Sequence, residues 1–246
     1  MKETHYFYCP DLAHGACSEL PQEEAEHAVR VLRMQEGDTI FLTDGQGSTY
    51  QATVVSTTKK KCFFQIESRQ HVSPLWEGKI HIAVAPTKNM DRMEWLAEKA
   101  TEIGVDAIHL LNCQYSERKV VKNERLERVI ISALKQSQKA YKPELTGMTD
   151  FQQFIRQPFD GNKYIAHCYS DEDISTPKVY LPAHLRSSAS KNSLVLIGPE
   201  GDFSISEVRM AVENGFIPIT LGQSRLRTET AALFSVMAMH LNNTIR

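Results

Sequence analysis

The stretch Leu194-Val195-Leu196-Ile197-Gly198-Pro199-Glu200-Gly201-Asp202-Phe203 runs from four apolar residues straight into a turn bracketed by glycines. A short, unbroken apolar run suits a strand buried on both faces, as in a parallel sheet covered by helices. Glycine directly after such a strand lets backbone approach a ligand closely, and the crevice at strand C-termini is where α/β sheets take their ligands. A plain strand-to-helix turn would be written the same way. No G-x-x-x-x-G-K-[ST] spacing occurs in the chain, which argues against a phosphate cradle. Beyond the turn, Ser204 and Glu207 have capping-box spacing, and Val208, Ala211 and Val212 share the inward face of the helix they would start.

A second stretch sits in the same position relative to the next strand candidate, 217–221: Leu221-Gly222-Gln223-Ser224-Arg225-Leu226-Arg227-Thr228-Glu229-Thr230-Ala231. Thr228 can cap the following helix, and Glu229 stands favourably at its positive end. Capping does not account for two arginines beside a helix whose residues Ala231, Ala232, Leu233, Phe234, Val236, Met237, Ala238 and Met239 are apolar around most of the circumference. Such a helix, from Thr228 to about Asn242, has to be buried in the core or against a second subunit.

Upstream, strands and helices alternate, the grammar of an α/β sheet. Strands are expected at 80–85, 107–111, 164–168 and 194–197. One helix is expected from Asp91 to Ile103, where Met93, Leu96, Ala97, Ala100 and Ile103 share a face and Gly104 sits at the C-cap. Another starts near Asn123, with Leu126, Val129, Ile130, Ala133 and Leu134 as its stripe. The grammar differs before a hinge at 73–78. There, short strands at 39–43, 50–55 and 62–66 are separated by the Asp44-Gly45-Gln46-Gly47 turn and the Lys59-Lys60-Lys61 tip, with a short helix over Glu23 to Leu32. This half reads as a small β-barrel.

The bulk properties bound the function. With 246 residues, 41% hydrophobic and 24% charged, the chain reads as an ordinary globular protein. It has no apolar run of membrane-spanning length, and its first residues lack the layout of a signal peptide, so a cytoplasmic protein is expected. A net charge of −2 argues against a non-specific coat on nucleic acid but not against one local basic face. Cys9, Cys17, Cys62, Cys113 and Cys168 are scattered and contain no C-x-x-C pair, which fits reduced thiols. His5, Cys9, His14 and Cys17 could in principle ligate zinc, but no paired short spacing supports it, and no metal is expected.

The motifs I-G-P-E-G at 197–201 and L-G-x-x-x-L-R-T-E-T-A at 221–231 resemble the RsmE family of ribosomal RNA small subunit methyltransferases. His27-Ala28-Val29-Arg30-Val31-Leu32-Arg33-Met34, the Asp44-Gly45-x-Gly47 turn, Lys88 to Gly104 and Ser116-Glu117-Arg118-Lys119-Val120-Val121-Lys122 fit the same family. The resemblance implies an α/β fold: a SPOUT-type knotted (deep trefoil) parallel sheet domain over 73–246, with an N-terminal PUA-like β-barrel domain over 1–72. It implies a homodimer that uses S-adenosyl-L-methionine to methylate N3 of one uridine in 16S ribosomal RNA, on the small ribosomal subunit. The cofactor would lie bent in the knot among His167, Leu196, Ile197, Gly198, Glu200, Gly201, Leu221, Gly222, Leu226, Thr230 and Ala231, its adenine held largely by backbone groups.

Uracil N3 carries a proton that has to leave before nitrogen can attack the sulfonium methyl, and the electrophile needs no metal. Arg227 is the candidate cation for the developing charge on O2 or O4, with a salt bridge fixing the loop as its competing role. The proton acceptor is open among Glu229, Glu200 and solvent; Arg227 and Glu229 are the catalytic candidates. Arg118, Lys119, Lys122, Arg125, Arg128, Lys135, Lys139 and Lys142 concentrate positive charge between 117 and 142, opposed by Glu117, Glu124 and Glu127. A phosphate-facing stripe and a solvated helix with Glu–Arg pairs both fit that pattern. The RNA-binding candidates are Arg30, Arg33, Lys88, Arg118, Lys119, Lys122 and Lys139.

Three departures from the family pattern stand out: Asp202 replaces a second glycine, Ser224 an arginine, and Lys135-Gln136-Ser137-Gln138-Lys139 a Glu-Gln-Ser-Gly-Arg stretch. A relative that binds RNA or assists ribosome assembly without turnover, and a SPOUT enzyme acting on another RNA, are the alternatives.

Overall fold

The structure, a computed structural model, describes residues 5–14 and 18–244. Cys17 lies outside the described residues. The chain divides into two compact units, one of Met1–Pro74 with Ile131–Lys142 and one of Leu75–Ile130 with Pro143–Arg246.

In the first unit, strands β1 (Tyr6–Tyr8), β2 (Thr39–Thr43), β3 (Ser48–Thr57) and β4 (Cys62–His71) form one sheet in that order, with β1 parallel to β2 and the other pairs antiparallel. Side chains alternate across a strand, so Tyr50, Ala52 and Val54 of β3 all point inward, onto Phe7, Leu20, Ile40, Leu42 and Phe64. The extended segment 18–20 lies along β4: Leu20 N–H donates to the Cys62 carbonyl and Phe64 N–H to that of Ser18, each at 2.9 Å. The helix expected over 23–32 is a short α1 (Gln22–Glu26) that widens into a π-helical turn at His27–Val31.

The Asp44–Gly47 turn is held by its own acid, whose Oδ1 accepts from Gln46 N at 2.7 Å and Ser48 N at 3.0 Å. Gly47 takes φ +100°, and a Cβ there would fall 2.5 Å from the Tyr141 hydroxyl. Segment 131–142 packs against this turn: Gly47 N–H donates to the Ala140 carbonyl at 2.9 Å and the Tyr141 hydroxyl to that of Val72 at 3.0 Å. Lys135 is paired with buried Glu24 at 2.7 Å, so the lysine that departs from the family pattern acts as a counter-ion inside this unit. Gln138, where the family has glycine, takes φ +53°, a left-handed turn that glycine adopts most easily.

In the second unit, the strands are β5 (Ile80–Val84), β6 (Ala107–Asn112), β7 (Glu144–Asp150), β8 (Asn162–Ala166), β9 (Val179–Tyr180), β10 (Ser193–Ile197) and β11 (Ile217–Thr220). They form a parallel sheet in the order β7-β6-β5-β10-β8-β11-β9. Helices α2 (Met90–Ile103), α4 (Phe151–Ile155), α5 (Asp171–Ile174), α6 (Leu181–Ser187), α7 (Ile205–Glu213) and α8 (Thr228–Thr244) complete it, with α3 (Asn123–Gln136) as far as Ile130.

The all-apolar run read from sequence is the central strand, β10, and every one of its residues is buried. Val195 and Ile197 join a core with Met93, Leu96, Leu126, Leu181, Val236 and Met239, drawn from α2, α3, α6 and α8. Leu194 and Leu196 join the opposite core with Phe151, Phe154, Ile174, Phe203, Val208 and Ala211. Each such side chain contributes about 1.5–3 kcal/mol on full burial, so the sheet is clamped from both faces at β10.

Asn89 caps α2 by accepting from Asp91 N at 3.0 Å, and Gly104 ends it with φ +131°. The capping box at Ser204 and Glu207 is present. On α8, Ala232, Ser235, Val236 and Met239 are buried, but Met237 and Leu241 remain 45% and 51% exposed, as does Trp95 of α2 at 42%. The helix expected to be buried all round therefore has one apolar side uncovered within the chain. Among the described residues, no helix is long and apolar enough to cross a membrane.

Candidate functional site

Strand order places β10 between β5 and β8, so the loops leaving β8, β10 and β11 end side by side at the C-terminal edge of the sheet. They enclose a cavity of about 640 Å³, within the size range of small-molecule sites. Its walls are Ala166–Cys168 after β8, Ile197–Glu200 with Asp202 after β10, and Ile219–Thr228 after β11, with Ala231, Arg92 and Lys178 completing it.

Three sets of hydrogen bonds fix the turn after β10. Asp202 N–H donates to the Pro199 carbonyl at 2.9 Å, closing the turn after β10. The Asp202 carboxylate accepts from Phe203 N at 2.7 Å and from Cys168 N at 2.8 Å, tying this turn to the loop after β8. Thr228 Oγ1 donates to the Gly198 carbonyl at 3.1 Å. That threonine was expected to cap α8; it is instead the helix's first residue, and its hydroxyl serves the neighbouring loop. Asp202 takes φ +68°, so the aspartate occupies a turn that suits the family's glycine and adds a carboxylate that bridges two loops.

The third wall is looser. Thr220 Oγ1 receives from Gly222 N at 3.2 Å and donates to the Gly222 carbonyl at 3.1 Å. Gly222 has φ +124° with nothing within 4 Å of a Cβ position, and the side chains of residues 222–225 are exposed.

His167 is buried in the cavity wall, and neither ring nitrogen has a hydrogen-bond partner among the described residues. Burial first, and Lys178 second, hold its pKa below the ordinary histidine value, favouring neutral imidazole. Burial, with Asp202 beside it, raises that of the Cys168 thiol, the one exposed cysteine among those described.

Of the residues singled out from sequence, His167, Ile197, Gly198, Glu200, Leu221, Gly222, Leu226, Arg227 and Ala231 line this cavity. Leu196 does not; it points into the core beneath. Gly201 also lies outside the lining, packed near Tyr115. Glu229 and Thr230 line a neighbouring hollow of about 270 Å³ with Asp91, Arg92 and Trp95. Glu229 is buried there, its Oε1 3.8 Å from Arg92 Nε and its Oε2 without a partner.

Arg92, Cys168, Lys178, Gln223 and Arg225 were not singled out for the site. Arg92 left one trace in the sequence: it stands three residues before Trp95, a large apolar residue off the buried stripe of α2.

The basic segment is less uniform than its composition suggests. Lys88 N–H donates to Glu200 Oε1 at 2.9 Å, at the cavity rim, and Lys88 Nζ pairs with Glu117 at 3.0 Å. Arg118 donates to the carbonyls of Thr87 and Lys88, so it braces the segment before α2. Lys119 and Lys122 are exposed, while Arg125 pairs with Asp91 and Glu94. Lys139 is half-buried, and burial lowers its pKa. With Lys135 it belongs to the packing of the first unit, so the stripe is split. In that unit Arg30 pairs with Glu26 at 3.5 Å, and Arg33 is exposed at φ +54°. Among the described residues, no group of three or more His, Cys, Asp or Glu side chains is arranged to hold a metal ion.

Residues 74–240 match the family model of an RNA methyltransferase domain, and residues 20–67 that of an RNA methyltransferase PUA domain. The chain is 29% identical over 225 residues to the ribosomal RNA small subunit methyltransferase E of Bacillus subtilis, covering 88% of this chain and 87% of that one. Among solved structures, a protein from Porphyromonas gingivalis described as a "probable rRNA-methyltransferase" superimposes with a TM-score of 0.87 at 42% identity, over 97% of this chain and 98% of the other. A ribosomal RNA small subunit methyltransferase E from Neisseria gonorrhoeae, bound to S-adenosyl methionine, gives 0.82 at 25% identity with the same coverage.

Proposed function

Because the chain belongs to the RsmE family of RNA methyltransferases, we propose that it transfers a methyl group from S-adenosyl-L-methionine to N3 of one uridine in 16S ribosomal RNA, in the cytoplasm. The observation that carries this reading is the convergence of the loops after β8, β10 and β11 on one cavity.

The residues present fit the cofactor. The cavity is large enough for a nucleoside with an amino-acid tail. The unpartnered ring nitrogens of His167 call for a polar ligand, since buried polar groups are seldom left unsatisfied. Backbone groups of Gly198, Leu221 and Leu226 can pair with an adenine edge. Lys178 and Arg225 suit a carboxylate, and Asp202 and Glu200 suit an ammonium and a sulfonium. When bound, the cofactor supplies an electrophilic methyl group.

The remaining chemistry is the chain's own. Arg227, at the cavity wall, stabilises the negative charge that develops on a uracil carbonyl oxygen as the N3 proton leaves. The closing of three loops around the site excludes water and strengthens that interaction. Residues 1–72, with the PUA domain, serve RNA recognition, and 73–246 serve catalysis. Lys88, Arg118, Lys119 and Lys122 supply phosphate contacts in the second unit; Arg30, Arg33 and Lys139 supply them in the first.

A homodimer completes the enzyme. The uncovered side of α8, with Met237 and Leu241, is what a second copy would bury.

The deciding experiment purifies small ribosomal subunits from a strain lacking this protein and incubates them with the protein and radiolabelled cofactor. Label in 16S RNA at N3 of a single uridine is expected; label in transfer RNA, or none with cofactor still bound, would replace this reading with one of the two alternatives.

A further inference from the structure

A methyl donor and its acceptor have to come within about 3–3.5 Å to react, so the target base needs a place that adjoins the cofactor cavity. The neighbouring hollow of about 270 Å³ shares a wall with that cavity, through Arg92, which lines both. It is bounded by Asp91, Arg92, Trp95, Glu229 and Thr230. Three of its properties are unexplained by packing alone. Trp95 is 42% exposed. Arg92 Nε stands 3.8 Å from Glu229 Oε1, beyond hydrogen-bond distance. Glu229 Oε2 is buried with no partner, on a residue only 7% exposed.

We propose that this hollow is the slot for the flipped-out target uracil, resting on the methyltransferase reading given above. The uracil edge presents an acceptor, a donor and an acceptor: O2, N3–H and O4. Glu229 accepts from N3–H, Arg92 donates to a flanking carbonyl oxygen, and the ring lies on the exposed face of Trp95, as extruded bases lie on aromatic side chains. Cytosine presents an acceptor at N3, which would face the carboxylate unpaired, so the slot rejects it.

Glu229 thereby becomes the proton acceptor. The N3–H bond breaks and its proton passes to Glu229 Oε2, leaving the electron pair on nitrogen. That pair forms the new N–C bond to the methyl carbon, while the S–C bond breaks with its electrons returning to sulfur, leaving a neutral thioether. The proton on Glu229 is released to solvent after product leaves.

The test compares the full-length wild type with E229Q, W95A and W95F on small ribosomal subunits from the deletion strain, measuring kcat, KM, cofactor affinity by calorimetry and sedimentation. For E229Q, kcat is expected to fall by about 10²–10⁴, the usual contribution of a general base. Cofactor affinity should stay within about two-fold, because no cofactor contact is lost. The E229Q rate should also recover steadily as pH is raised, since hydroxide then removes the N3 proton; an effect on folding alone would not produce that recovery. W95A should raise KM for subunits about ten-fold through lost stacking, with W95F restoring most of it.

A wild-type kcat in E229Q overturns the slot. So does a loss of cofactor affinity that parallels the loss of turnover, or monomers in place of dimers, since the hollow would then belong to the cofactor or to a subunit contact. A wild type that neither binds cofactor nor labels subunits overturns the function itself, and the slot with it.

Discussion

The loop after β10 and the loop after β11 face each other across one cavity, and they are built by opposite rules. The first is cross-linked on all sides: Asp202 closes it onto Pro199 and ties it to Cys168, Thr228 holds its Gly198 carbonyl, and a Cβ on Gly198 would come within 3.0 Å of Phe203 N. The second carries two local bonds between Thr220 and Gly222 and is exposed from Gly222 to Arg225. One wall is finished before a ligand arrives and the other has room to settle on it. Rigidity on one side lowers the ordering cost of binding, while freedom on the other lets ligand in.

Gly198→Ala should have the largest effect, because its methyl group would press at 3.0–3.2 Å on the backbone of Asp202 and Phe203 and the Phe203 ring, which have to give by a few tenths of an ångström. Cofactor affinity is expected to fall about a hundred-fold or more, with overpacking also costing about 1–3 kcal/mol of stability; calorimetry and thermal melts measure the two. An acid titration tests the sheet beneath both loops. On β5 and β6, His81 Nδ1 lies 3.1 Å from His109 Nε2, and burial, then His81, push His109 down to about 4. A histidine held neutral in the fold contributes stability that is whole above its ordinary value of about 6.5 and is lost as pH falls towards 4, about 2–3 kcal/mol in all. Melts between pH 7 and 4 should show that loss, and His109→Gln should flatten it.

Asp202→Gly relaxes the positive φ while deleting the bridge to Cys168, and so separates strain from clamping. Cofactor affinity should drop about ten-fold, in line with a charge-assisted hydrogen bond at a partly exposed site. A variant that bound as tightly as the parent would show that the first wall stands without its clamp. The smallest effect is expected of Ser224→Ala in the open loop, within about two-fold in affinity; a larger loss would mean that this loop, too, is prearranged.

The same contrast governs what could be read from sequence. β10 announced itself because four apolar residues in a row, Leu194 to Ile197, leave little choice, and α7 because Ser204 and Glu207 spell out its cap. β7 did not: Glu144-Leu145-Thr146-Gly147-Met148-Thr149-Asp150 is an edge strand, half-covered and polar, with no period to follow. β9 and α5 are too short to show any period. In the site, Gly198 and Gly222 were legible as glycines following strands. Asp202 was visible as a departure from the family, but its clamp was not, since the partner Cys168 lies on another loop and only the sheet order brings the two together. Arg92 and Glu229 come from helices α2 and α8, far apart along the chain, and no spacing rule links them.

The position of β10 also sets a timetable. A chain leaving the ribosome lays down β5 to β8 well before the strand that has to slip between β5 and β8 has been translated. Long-range parallel pairing of this kind is slow, because the intervening chain has to be closed before the contact is made. The central seam is therefore among the last parts to assemble, and until it does there is nowhere for a methyl donor to sit. A nascent or truncated chain, even one with its first strands paired, is silent by construction, and activity switches on only when synthesis is nearly finished.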